Sequence, residues 1–513
     1  MNEVCGPCER LRLAMRLQRF ALCLVLTLTV PVVAAQPAMT LETLTELVQQ
    51  KAAQPYDANA RAVPTFLNEL GYDQYRDFQY KPEQALWHDK QLPFELTFFH
   101  SGYLYKKSVD MHALTADGSS EPILFTPALF DYGPQEPLIP QLPPDLGFSG
   151  FHLWWRDATG ELQPVGLFQG ASYYRMVSSF HEYGLSARAL AVNTNDGPEE
   201  FPDFTTFWLQ EPAATDTDFV FYGLAEGPSV VAGYRFVLTP GAQIRLTAEA
   251  RLVLRQPVKE LGLTPYSTMF WYGENSAQRP ADFRPEVHDS DGLLIVTDNE
   301  QVWRPLVNPP HTRTDILPGN DLQAFALLQR DRDYEHYQDI EADYHLRPDT
   351  WIVPGKSMQS GSLHLLEIES PHEYADNVAL LWSPATMPQV GEVLAYDYEI
   401  HFGELPPASL AEVVATRYGE SLRGDGSIEF VVDFGGAALD LLNDDSNVTV
   451  DSSLEGGTFV WQNARKNPHN DTWRMTLRVL PNKDVQEMRL SATLKQRGKA
   501  IGETWQYWWM ADR

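Results

Sequence analysis

Alternation of apolar and polar residues with a period of two dominates the chain from residue 91 onward. Residues 91–100 open a series of short runs that continues at 172–176, 205–209, 218–222, 233–238, 244–254, 363–368 and 378–382. Many turn-forming residues separate them, with 37 prolines and 33 glycines in the chain. Strands of this length and spacing predict sandwich-type sheets. Helical periodicity is confined to the start. Thr40 precedes Leu41, Leu44, Leu47 and Val48, which share one helical face, and threonine is a favoured N-cap. A second short helix is expected over 64–70, opened by Pro64.

A proline-rich break at 404–408 changes the pattern. Beyond it Trp473, Met475, Leu477 and Val479 alternate with polar residues, as do Met488, Leu490, Ala492 and Leu494. About seven short strands in such a stretch suit an immunoglobulin-like sandwich. The expected fold class is therefore all-β, with a large sandwich over 36–403 and a smaller one over 411–513.

Length and composition agree with this division. A chain of 513 residues with 43% hydrophobic and 12% aromatic residues can fill more than one core. The first 35 residues read as an export signal. Arg10, Arg12, Arg16 and Arg19 precede an apolar stretch over 20–33, and Val33-Ala34-Ala35 suits cleavage by a signal peptidase. All three cysteines, Cys5, Cys8 and Cys23, fall within that segment. The exported chain would then have no disulfide, no thiolate nucleophile and no cysteine-ligated metal. The net charge of −30 disfavours nucleic acid and anionic lipid as partners.

The chemistry concentrates in polar turns. The segment Phe283-Arg-Pro-Glu-Val-His-Asp-Ser-Asp-Gly292 holds one Arg, one His and three carboxylates between two apolar runs. Residues 328–339 and 370–377 form two further acidic clusters with aromatic neighbours. The 13 histidines show no HxH or HExxH spacing. Asp289-Ser-Asp291-Gly292 begins like a calcium loop, but Leu293 and Leu294 stand where ligands belong. No phosphate loop, dinucleotide fingerprint or G-x-S-x-G motif is present. Neither a metal nor a cofactor is expected. Carboxylates beside aromatics suit sugars, whose ring faces stack on aromatic side chains and whose hydroxyls need polar partners. Whether the three clusters converge on one cleft or stay apart as surface ion pairs is left open by their spacing.

Taken together these segments resemble the osmoregulated periplasmic glucan biosynthesis protein G/D family from about Leu41 to the C-terminus. The resemblance is carried by Phe130-Asp-Tyr-Gly133, Gly170-Ala-Ser-Tyr-Tyr-Arg175, Tyr183-Gly-Leu-Ser-Ala-Arg188, Arg284 to Gly292, Trp303-Arg-Pro-Leu306 and Leu328-Gln-Arg-Asp-Arg332. Trp271-Tyr-Gly-Glu-Asn275, His288-Asp-Ser-Asp291 and Tyr337-Gln-Asp339 lie closer to the D branch. Two features depart from it: there is no twin-arginine leader, and Gly355-Lys-Ser-Met-Gln-Ser-Gly361 replaces a turn that usually contains Trp.

The resemblance implies a galactose-mutarotase-like sandwich carrying a cleft, followed by the immunoglobulin-like domain. It implies a periplasmic role in making β-1,2-linked glucan, and for D-like members hydrolysis of that glucan with inversion. A non-catalytic glucan-binding or scaffold protein for the membrane glucan synthase is the alternative. Carried over by position, Asp376 would be the general acid and Asp289 the base-side carboxylate, with Tyr344 and Glu373 beside them. Tyr174, Arg175, Arg188, Trp271, Trp303 and Arg304 are the candidate sugar contacts, with His288, Asp291, Arg332 and Asp339 as further members of the site. Burial and Glu373 would raise the pKa of Asp376, while His288 and Arg284 would keep Asp289 charged. Besides glucan, the membrane synthase and a second copy of the chain are left open as partners.

Overall fold

The strand Val230–Thr239 shows how the alternation becomes a layer. Tyr234, Phe236 and Leu238 point inward and are fully buried, while Arg235, Val237 and Thr239 face outward. The computed structural model describes residues 38–511 apart from 117, 196, 407 and 408, and the export segment expected at 1–35 lies outside them.

Two large sheets pack face to face. One has ten strands and runs from Phe94–His100 through Phe148–Arg156, Leu162–Gln169, Tyr173–Met176, Ser186–Arg188, Leu261–Thr268, Val378–Pro384 and Gly361–Glu367 to Arg313–Pro318. The other has fifteen strands, with Val393–Gly403, Ile244–Leu254, Val230–Thr239, Phe219–Glu226 and Asp203–Gln210 side by side. Neighbours are antiparallel at nearly every step. Between the layers, Phe151 and Phe168 of the first sheet meet Phe207, Phe221 and Phe236 of the second, with ring centroids 5.0–5.7 Å apart. Interdigitated rings of this kind supply the main hydrophobic driving force, about 1.5–3 kcal/mol per fully buried side chain. The fold is all-β, as the alternation predicts.

The helix Leu41–Ala52 starts where expected, with the Thr40 side chain accepting from the Thr43 N–H. Leu44 and Val48 are fully buried on the outer face of the larger sheet. Their approach depends on Gly233: a Cβ there would stand 2.7 Å from Leu44 Cγ and 2.8 Å from Val48 Cγ2. The second helix is a single turn, Thr65–Asn68.

Beyond the proline-rich break the chain builds two more layers. Glu412–Glu420, Ile428–Gly435, Trp473–Pro481 and Gly457–Lys466 form a four-stranded sheet. Val448–Glu455, Glu487–Gln496 and Thr504–Met510 lie opposite, and the alternating residues Trp473, Met475, Leu477, Val479, Met488, Leu490, Ala492 and Leu494 are all buried in the second core. These last three strands also extend the fifteen-stranded sheet. Thr504–Met510 pairs in parallel with Gln301–Pro305, Val302 opposite Thr504 and Trp303 opposite Trp505. Residues 38–511 accordingly pack as one compact unit.

A buried ion pair secures that junction. Both terminal nitrogens of Arg330 donate to the fully buried Glu503, at 2.9 and 2.7 Å, and Glu503 Oε2 also accepts from the Val413 N–H at 2.9 Å. Arg330 lies flat on Trp303, 3.6 Å from its ring centroid. Glu503→Ala strands the guanidinium in the interior. A loss of about 3–5 kcal/mol is expected, read from the urea midpoint; a loss under about 1 kcal/mol would show that the pair does not hold the junction.

Candidate active site

The end of the strand Leu261–Thr268 and the residues after it form a post that carries both candidate carboxylates. Ser267 Oγ donates to Asp376 Oδ2 at 2.6 Å. Two residues on, the Met269 carbonyl accepts from the Asp289 N–H at 2.8 Å. Asn377 then locks the neighbouring loop to Phe270: its Oδ1 accepts from Phe270 N at 2.8 Å and its Nδ2 donates to Phe270 O at 2.9 Å. Asn377 Nδ2 also reaches the Ile368 carbonyl, so the loop bearing Asp376 is closed at its base.

The two carboxyls stand in different surroundings. Asp376 is half-buried on the wall of an open cleft of about 720 Å³. Asp289 lies deeper. Burial lifts its pKa to about 6, opposed by Arg347, whose Nε stands 2.9 Å from its Oδ1, and reinforced by the charge of Asp376. The expected electrostatics are therefore corrected. Arg284 does not face Asp289; it donates to Asp282, to Asp339 at 2.9 Å and to Glu373 at 2.7 Å. Arg347 is the cation beside Asp289, and its main chain is held by Arg332, which donates to its carbonyl and to Asp349 at 2.8 Å. Tyr344 completes the group. Burial raises its phenol pKa, so it stays protonated, and its hydroxyl donates to Glu373 Oε2 at 2.8 Å.

The cleft walls follow strand parity. In Tyr173–Met176, Tyr173 and Arg175 face the cleft while Tyr174 and Met176 face the core. Tyr174 is 1% exposed, stacks on Phe168 and hydrogen-bonds with Tyr398, so it offers no platform to a sugar. Its neighbour Tyr173 occupies that position. Arg175 Nε donates to Ser186 Oγ at 2.7 Å, leaving its terminal nitrogens toward the cleft. Arg188 pairs with Glu199 at 2.8 Å and lies 5.4 and 5.3 Å from the ring centroids of Tyr173 and Phe201. Phe201 and Tyr374, 48% and 85% exposed, complete an aromatic border.

Other expected contacts lie elsewhere. Trp303 is 3% exposed in the second core, beneath Arg330. Arg304 is buried in ion pairs with Glu367 at 2.9 Å and Asp315 at 3.2 Å. Both belong to a strand whose two faces are covered, which a local sequence window does not reveal. Trp271 lines a separate groove. His288 is fully buried, with Nδ1 2.9 Å from Gln329 Oε1 and Nε2 3.2 Å from Glu286 Oε2. Burial pushes its pKa down, but Asp291 and Glu286 outweigh this and raise it to about 10. Asp291 accepts from the backbone N–H groups of Arg330 and Asp331. Asp339 accepts from the N–H groups of Glu341 and Ala342 and from Arg284. Two groups, Glu286–His288–Asp331 and Glu274–Asp291–Asp331, stand within ligand spacing of one another. In the first, both ring nitrogens of His288 are already engaged, with Gln329 and Glu286.

The altered turn at 355–361 has no part in the cleft. It anchors the start of Gly361–Glu367 through the buried Met358, whereas the cleft is bordered by Leu366 and Ile368 at the other end. Its departure therefore leaves the site untouched.

The model of the family described as "Periplasmic glucan biosynthesis protein, MdoG" matches residues 39–509. The chain belongs to this family. Glucans biosynthesis protein D of Xylella fastidiosa (strain 9a5c) is 38% identical over 482 residues, spanning 91% of this chain and 89% of the relative. Glucans biosynthesis protein D of Xanthomonas oryzae pv. oryzae (strain PXO99A) is 37% identical over 473 residues, spanning 90% and 88%. The family is described as periplasmic, and no helix among the described residues is long and apolar enough to cross a membrane.

Asp289 also makes a stability prediction. Its pKa in the fold, about 6, lies above the ordinary carboxyl value of 3.8 expected of the unfolded chain. Folding therefore favours its protonated form, and the stability this gives is lost as the pH rises from 3.8 through about 6. Asp289→Asn removes that loss. The variant is expected to gain up to about 3 kcal/mol at pH 8 and to lose this advantage by pH 4, as measured by thermal denaturation across pH. A variant no more stable at pH 8 than at pH 4, relative to the parent, would contradict the buried assignment.

Proposed function

We propose that the protein is a periplasmic glycoside hydrolase that cleaves the backbone of β-1,2-glucan internally with inversion. The observation that carries this reading is the pair Asp376 and Asp289, hung from one strand end, the first facing an open cleft and the second buried behind it. Two carboxyls in unlike surroundings are what acid-and-base hydrolysis requires. A pyranose chain stacked on Tyr173, Phe201 and Tyr374 brings a glycosidic oxygen to Asp376. Ser267 holds one oxygen, leaving the other to donate the proton to the departing sugar.

Asp289 takes the opposite role. Ionised beside Arg347, it accepts the proton of the attacking water, directly or through a further water; the Tyr344 hydroxyl, whose own proton goes to Glu373, can only orient that water through its oxygen lone pair. An inverting pair leaves room for that water, about 6.5–9.5 Å between carboxyls, or more where a relay intervenes.

Asp376→Asn and Asp289→Asn keep the shape of the site and remove proton transfer. Each is expected to lower hydrolysis of linear β-1,2-glucan by about 10²–10⁴-fold with binding retained. Near-normal hydrolysis in either variant removes that residue from the mechanism; binding by the parent without chain shortening would favour a scaffold for glucan synthesis instead. Because Asp289 must be ionised, kcat/KM is expected to fall as the pH drops through about 6. A rate that rises there would reverse the two roles.

A further inference from the structure

The loop that carries Glu373 and Asp376 has two sides. Tyr374 and Asp376 face the cleft, while Glu369, Ser370 and Pro371 border a second groove of about 540 Å³. Trp271, Tyr418, Trp508 and Trp509 line this groove, each partly exposed. Its walls come from distant parts of the chain, the turn after Phe270–Tyr272 on one side and the strand Thr504–Met510 on the other.

The groove is braced. Asn308 Oδ1 accepts from the Ser370 N–H at 2.9 Å, and its Nδ2 donates to the carbonyls of Ser370 at 2.7 Å and Trp271 at 3.1 Å. The dividing loop and Trp271 are thus fixed to each other. Trp508 is held by two guanidinium groups, Arg313 at 4.4 Å and Arg489 at 4.0 Å from its ring centroid, and its Nε1 donates to Glu487 at 3.0 Å. Aromatic surfaces immobilised in advance lose little entropy when a ligand settles on them.

The lining suits a sugar. Indole and phenol rings match the C–H faces of pyranoses, and the exposed Gln278, Arg279 and Glu369 at the rim match hydroxyls. Glu369 is the sole carboxylate among the lining residues. Hydrolysis needs two, so the groove has the means to bind a glycan and not to cut it.

We propose that this groove is a second glucan-binding site, which takes the part of a neutral chain that continues past the 369–376 loop from the cleft. This rests on reading the cleft as a glucan site. The second site gives the enzyme a hold on long chains that short oligosaccharides cannot use.

The test is calorimetric titration of the full-length Asp376→Asn protein with two linear β-1,2-glucans, one short enough to fit the cleft alone and one long. Trp508→Ala, and independently Ala277→Trp, which fills the groove from an exposed position, are added to this background. Arg175→Ala serves as the cleft variant. Each groove variant is expected to weaken the long chain by about ten-fold, the scale of one or two aromatic contacts, and to leave the short one unchanged; Trp508→Phe should restore most of the loss. Long-chain affinity unchanged in Ala277→Trp overturns the proposal, and if short-chain affinity meanwhile falls in Arg175→Ala, the cleft reading survives. Long-chain binding lost in the groove variants but kept in Arg175→Ala upholds the groove and overturns the cleft reading. A parent that binds neither glucan overturns both. If Trp508→Ala fails to fold, Ala277→Trp decides alone.

Discussion

The arrangement of the acidic turns depends on one guanidinium. Arg284 gathers Asp282, Asp339 and Glu373, which belong to three turns far apart in the chain. Without a shared cation these carboxylates would repel one another across a partly dry site. Arginine suits the task because its planar group offers five donors in a fixed fork, whereas lysine is a single point charge. Through Glu373 the same cation orients the Tyr344 hydroxyl, so the positions of the acidic turns and of the buried phenol are set together.

The strands were legible because burial on one face imposes a period of two. Trp473, Met475, Leu477 and Val479 are inside for that reason. The same rule separates Tyr173 from Tyr174: adjacent residues on a strand cannot share a face, and Met176 marks the inward one. Both tyrosines lie in the family segment 170–175, and parity corrects the choice of Tyr174 as the sugar contact. The acidic turns were legible as chemistry, but their partners were not. Arg347 lies far along the chain from Asp289, and no local pattern couples them. Arg304 reads as a sugar contact in sequence, yet Glu367 and Asp315, delivered by two paired strands of the other large sheet, make its burial tolerable.

A second charged network lies behind the cleft and ties it to the C-terminal layers. His288 and His336 share Glu286, whose pKa they hold below the usual carboxyl range in spite of burial. Glu274 donates its N–H to Glu286 and accepts from the Thr416 N–H at 2.7 Å, on the first strand after the break. Burial and the charge of Glu286 raise the Glu274 carboxyl well above its usual range. The polar interior is therefore a chain of specific partners running from His288, next to Asp289 in sequence, to the second core. Satisfying it fixes one arrangement of the layers, because a half-made network of this kind costs more than an apolar core.

The parallel pairing of Gln301–Pro305 with Thr504–Met510 has a consequence for how such a protein can change over evolution. A chain ended at the proline-rich break would leave the outer edge of Gln301–Pro305 unpaired, and beside it the apolar faces of Leu294, Trp303 and Trp351 that the second core now covers. An open, apolar sheet edge invites pairing with other chains. Shuffling the small sandwich away from the large one would thus create an aggregating remnant instead of a free-standing module. The two parts are bound to be inherited, and lost, together.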